Sequence, residues 1–179
     1  MRLRFPVFRI FFIPIASFCS FIACSSSSGI DDYFTINVQK SQNFPAPSQS
    51  SIGQWTTISL TITIDSSDLV ANSTLSTTIP LTKSVKLNKF TLSSSDPTYA
   101  ITSFDTVKLV VLCDSLADQL LATYTGANDS VSLTNADFAA YVKESSCRYT
   151  LIYRANASPS HTMNITAAEV FVFTANPKQ

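Results

Sequence analysis

Residues 55–64 read WTTISLTITI. Ile58, Leu60, Ile62 and Ile64 fall at every second position, with Ser59, Thr61 and Thr63 between them. A period of two marks a strand buried on one face and wet on the other, so this stretch predicts a half-buried strand, and the rest of the chain is read outward from it.

Upstream, residues 33–39 alternate in the same way, with Phe34, Ile36 and Val38 on one face. Residues 41–53, with Pro45 and Pro47, predict a long loop or irregular edge because proline has no N–H to give a sheet. Downstream, Asp65-Ser66-Ser67-Asp68 predicts a turn, and residues 75–81 a weaker strand ending near Pro80. Val85 and Leu87 share a face, whereas Phe90 and Leu92 are out of phase with them, so a bulge near Asn88 and Lys89 is expected. Residues 106–113 are apolar at both parities, the pattern of a central strand covered on both faces. Residues 120–125 and two alternating runs, one from Cys147 to Tyr153 and one from Met163 to Phe173, complete the strands.

One helix is expected, over residues 135–144, capped by Thr134 or Asn135 with Phe138, Tyr141 and Val142 on its apolar side. About seven to nine short strands separated by turn residues predict an all-β antiparallel sandwich of immunoglobulin-like or jelly-roll type. The expected organisation is 1–23 signal peptide, 24–32 serine-rich tether and 33–179 a single sandwich domain.

The N-terminus has a different character. Arg2, Arg4 and Arg9 precede a run without charge that reaches Ala23, then Cys24 and Ser25-Ser26-Ser27-Ser28-Gly29. That is the order of an export signal, and Pro14 together with the shortness of the run argues against a permanent span. Phe21-Ile22-Ala23-Cys24 resembles the bacterial lipobox. The resemblance implies cleavage before Cys24, acylation of Cys24, and a place in the cell envelope held by lipid, with no second membrane segment needed. By its signal and general architecture the chain is similar to uncharacterised β-sandwich lipoproteins of Bacteroidota. Asp105-Thr106-Val107, Asp114-Ser115-Leu116 and Asp129-Ser130-Val131 each resemble the O-glycosylation signal of exported proteins in that group.

Removing residues 1–23 leaves nine basic and twelve acidic residues, a formal charge of −3. Nucleic acid is therefore not the expected partner; the membrane, through the lipid, and a protein or glycan ligand are. Of the four cysteines, Cys113 and Cys147 stay available after processing. In an oxidising compartment they are either a disulfide or two small buried residues in neighbouring strands.

Covalent chemistry finds little to work with. The chain has one histidine, His161, in an expected surface loop, and three glycines, too few for a phosphate cradle. There is no G-x-S-x-G and no H-E-x-x-H. Asp114 and Asp118 are the carboxylates a glycosidase would use if they converged, and Asp65, Asp68 and Asp96 are oxygen ligands of the type calcium takes; turn and capping roles explain both sets. Trp55, Tyr99, Tyr124, Tyr149 and Tyr153 are read as core residues. No enzyme activity, metal or cofactor is expected. The leading function class is an envelope lipoprotein with a binding or structural role, followed by a fimbria- or adhesin-like subunit and then a glycan-acting hydrolase.

Overall fold

The period-two runs become strands wherever a neighbour takes up their backbone groups. In the computed structural model, which describes residues 33–74 and 77–177, these strands are β1 (Phe34–Pro45), β2 (Trp55–Leu60), β3 (Thr82–Ser94), β4 (Phe104–Leu112), β5 (Gln119–Thr125), β6 (Ser130–Leu133), β7 (Arg148–Ala155) and β8 (Asn164–Ala175). The expected export signal, Cys24 and the tether lie outside the described residues. Strand order is β1-β8-β3 in one sheet and β2-β7-β4-β5-β6 in the other, antiparallel throughout. The protein is an all-β antiparallel sandwich. Among the described residues no helix is long and apolar enough to cross a membrane.

Residues from both sheets fill the space between them. Ile165, Ala167, Phe171 and Phe173 of β8 face Val107, Leu109, Val111, Tyr149, Leu151 and Tyr153, all buried. Phe104 and Tyr153 meet edge to face, 5.3 Å between centroids, and Phe44 packs on both. The expected bulge is present as a register shift between Leu87 and Lys89, which keeps Val85, Leu87 and Phe90 all inside. The strand apolar at both parities, β4, is central between β7 and β5.

Several expectations need correction. The loop expected over residues 41–53 begins later, because β1 continues to Pro45; its inward face carries Lys40 and Gln42, and these two polar residues hide a period that resumes at Phe44. Pro45 is tolerated as the last residue of an edge strand. β2 stops pairing at Leu60, opposite Tyr149, and the N–H of Thr61 is taken by Gln42 Oε1 at 2.8 Å. Ile62 stays buried without strand partners.

Asp65-Ser66-Ser67-Asp68 is a helix start: α1 (Ser66–Ala71) is opened by a capping box in which Asp65 accepts from the N–H groups of Ser67 and Asp68, while Asp68 accepts from the N–H of Asp65. The helix sets Leu69 wholly in the core. Of the strand expected over residues 75–81, residues 79–81 form a short 3-10 turn opened by Ile79 and Pro80 instead. β6, at the sheet edge, alternates as Ser130-Val131-Ser132-Leu133, but four residues are too short a run for the period to stand out.

The helix expected over residues 135–144 is confined to α2 (Ala139–Lys143), so there are two short helices and not one. Neither Thr134 nor Asn135 caps it. Thr134 donates to the carbonyls of Leu120 and Leu121, and Asn135 turns the chain with φ +55°. The carboxylate of Asp137 does that work, accepting from the N–H of Ala139 and from the N–H of Val85 on β3, each at 3.0 Å.

The register also fixes the two poles of the sandwich. Phe34, the first residue of β1, pairs with Ala175 at one pole, and Pro45 pairs with Asn164 at the other.

Candidate functional site

Among the described residues the outward face of the five-stranded sheet carries one large exposed ring, set among hydroxyls, charged groups and the aliphatic side chains of Val110 and Ile152. Trp55 opens β2 on the edge of the sheet and is 50% exposed. It lies opposite Arg154 of β7, which is opposite Thr106 of β4. The adjacent row on the same face is Thr57, Ile152, Lys108 and Thr123.

Two cations approach the indole. Lys108 Nζ is 5.2 Å and the guanidinium carbon of Arg154 5.3 Å from the ring centroid, within range of a cation–π attraction worth about 0.5–1 kcal/mol at an exposed site. Both come from strands on the same side of β2, so the ring leans back over the sheet. Arg154 is neutralised by Asp105, whose Oδ2 accepts from Nε at 2.7 Å and from Nη2. Among the described residues Lys108 has no carboxylate partner. The face thus offers an immobilised aromatic surface, one paired guanidinium and one uncompensated ammonium, with threonine hydroxyls around them.

Trp55 is a correction to the core assignment, and its signal was present in the alternation itself: position 55 shares parity with Thr57 and Ser59, the wet side of the strand. Tyr99, Tyr124, Tyr149 and Tyr153 are buried, as their positions predict.

No family model, curated protein or solved structure matches this chain. Function has to be argued from the site alone.

The other residues of interest are dispersed. Cys113 follows β4 and Cys147 precedes β7, neighbouring antiparallel strands, and the structure joins the two as a disulfide with 4.2 Å between Cα atoms. Beside it Asp114 sits 3.7 Å from Arg148 on the surface; Asp118 is exposed. His161 is exposed, with Nε2 3.0 Å from Asp96 Oδ2.

Asp65 and Asp96 are occupied by their own turns. Hydrogen bonds from the Ser67 hydroxyl and the Asp68 and Ser67 N–H groups lower the pKa of Asp65, and the Thr98 hydroxyl and N–H do the same for Asp96. Asp68 is held by Lys40 at 2.6 Å. Among the described residues no three metal-binding side chains are gathered at one point. In the tripeptides similar to O-glycosylation signals, Ser115 and Ser130 are exposed, whereas Thr106 is half-buried in β4.

Proposed function

We propose that this protein is an envelope lipoprotein, held to a bacterial membrane by acyl chains on Cys24, whose sandwich binds saccharide on the Trp55 face. The observation that carries the reading is a half-exposed indole backed by two cations at the edge of the outward sheet face. The C–H face of a pyranose is weakly positive and stacks on the negative face of an aromatic ring, while Asp105, Arg154 and the threonines supply hydrogen bonds to hydroxyls. Lys108 favours an acidic sugar. Covering the exposed half of the indole, on the order of 100 Å², contributes about 2–3 kcal/mol, so a single site binds weakly and an array on a membrane gains by multivalency.

The position of Trp55 agrees with this reading. The tether would enter at Phe34; Phe44, near the other end of β1, packs on Tyr153, the register partner of Thr56. The indole therefore stands a strand's length from Phe34, on the order of 35 Å, near the opposite pole of the sandwich.

Trp55 is the one tryptophan of the chain, so its emission reports this surface directly. Titration with neutral and acidic oligosaccharides is expected to shift the emission, most strongly with uronic acid polymers, and Trp55→Ala is expected to abolish retention on the same sugars. An emission that no saccharide moves would refute the glycan reading. The anchor is tested separately: Cys24→Ser is expected to lose incorporation of a fatty-acid probe, and labelling at the wild-type level rules out the lipid assignment.

A subunit that exchanges a strand with its neighbour is the second reading, favoured by β1: it is the first strand of the sandwich, lies at a sheet edge and pairs with β8 alone in one unbroken twelve-residue register. A cysteine pair linking β1 to β8 would block polymerisation in that case and leave saccharide binding untouched.

A further inference from the structure

Directly opposed residues of an antiparallel pair point to the same side of the sheet. Along the inner side of β1 and β8 the pairs are Ile36 with Phe173, Val38 with Phe171, Lys40 with Glu169, Gln42 with Ala167 and Phe44 with Ile165. An acid and a base therefore face each other in the middle of an apolar row.

They are not bonded. Glu169 is 1% exposed, and neither of its carboxylate oxygens has a hydrogen-bond partner. Lys40 sends its Nζ instead to Asp68 Oδ1, 2.6 Å away on α1. That ion pair and the buried Leu69 seat α1 beside β1.

A charge in so dry a position is strongly disfavoured without a partner, and burial pushes the Glu169 carboxyl up to about 7. The groups that surround it are few. β1 presents Lys40 and the neutral Gln42, β3 presents Phe90 as the register partner, and β7 presents the phenol of Tyr149, whose own ionisation is suppressed by burial and by Glu169. Asp68 of α1 acts only through Lys40. The cation directly opposite is Lys40, and opposed Cβ atoms lie about 5 Å apart, within reach of the two side chains; Lys89 of β3 is the register partner of Val170, on the outer side of the sheet.

We propose that Lys40 is a movable clasp that holds α1 through Asp68 while Glu169 carries its proton, and swings onto Glu169 when that proton is lost to solvent. Ionisation of one core carboxylate then loosens α1 and Leu69 from the margin of the sandwich, and the protein is tighter in mildly acidic than in mildly alkaline surroundings. The inference does not rest on the saccharide reading.

The test is NMR on the full chain in detergent between pH 5 and 9, following the side-chain carboxyl carbon of Glu169 and the amides of α1. The amides of Asp68, Leu69 and Asn72 are expected to shift with the same midpoint as the Glu169 carboxyl. Glu169→Gln removes that movement. Lys40→Met makes α1 insensitive to pH and raises the Glu169 midpoint by at least one pH unit, because the ionised form loses its cation. Asp68→Asn releases the lysine and lowers the midpoint. Amides of α1 that stay still while Glu169 titrates, a midpoint unmoved by both Lys40→Met and Asp68→Asn, an α1 transition that survives Glu169→Gln, or no titration of Glu169 in this range each overturn the clasp.

Discussion

Gly126 lies against the carbonyl oxygen of Phe104: a Cβ at this position would collide with that oxygen and come within 2.8 Å of the carbonyl oxygen of Thr102. Both obstacles are backbone, so no side chain can swing away to make room. Gly126→Ala must push the turn after β5 off the start of β4, and is expected to cost at least the roughly 1–3 kcal/mol typical of overpacking. A thermal melt of this variant that coincides with wild type would refute the close approach.

The disulfide closes a 34-residue separation that contains β5, β6 and α2. Chain-entropy arguments give such a loop about 3–4 kcal/mol. Reduction, or Cys113→Ser with Cys147→Ser, is therefore expected to lower the urea midpoint by a corresponding amount while leaving the strand content intact. A midpoint that does not move once both thiols have been titrated as free would count against the bond as a stabilising link.

Asp137 joins α2 to β3 by accepting two backbone N–H groups. Burial raises its pKa, but the N–H groups of Val85 and Ala139, with the Ser84 hydroxyl and the Lys86 ammonium, outweigh that and hold it below the ordinary value. Asp137→Ala leaves both donors unserved and is expected to cost about 1–2 kcal/mol; Asp137→Asn, which retains an acceptor, should recover most of it. Equal losses in the two variants would show that the oxygen is not the relevant feature.

Stability is expected to pass through a maximum in mildly acidic solution. Glu169 keeps its proton in the fold up to about 7 against 4.5 for an unperturbed glutamate. The folded state binds more protons across that interval, so stability falls as the pH rises through it and levels off above. The total loss is roughly 3 kcal/mol. The lowered groups Asp65, Asp96 and Asp137 act in the opposite sense, contributing stability that disappears as the pH falls through their folded values. Urea midpoints at pH 4.5, 5.5 and 7.5 should decline in wild type and stay level in Glu169→Gln; a parallel decline in both would assign the effect to another group.

Much of the fold was legible because burial on one face leaves a period in the residues. Val85, Leu87 and Phe90 reported even the bulge between them. The period is lost where polar residues occupy inward positions: Lys40 and Gln42 interrupt the inward row of β1, so the alternation marks its strand only to Gln39, whereas pairing continues to Pro45. The sequence also misleads where capping chemistry and turn chemistry use the same residues, as at Asp65 and Asp68, which open a helix, and at Asn135, which sits in a turn although it looks like a cap. Both sites could have been found from parity alone. Trp55 lies on the wet side of its strand and Glu169 on the dry side of the run Ile165, Ala167, Phe171 and Phe173, each a residue whose chemistry contradicts its place.

The pairing of Phe34 with Ala175 at one pole, and the position of Trp55 at the other, also set how the molecule would bear mechanical load. If the proposed lipid and ligand hold these two places, a pull between them would run along β1, so that the ladder to β8 would be loaded in shear and its hydrogen bonds would resist together. The same strand drawn away from its Pro45 end would open like a zip, one pair at a time. A sandwich held at these two places would be pulled in the direction in which it is hardest to tear.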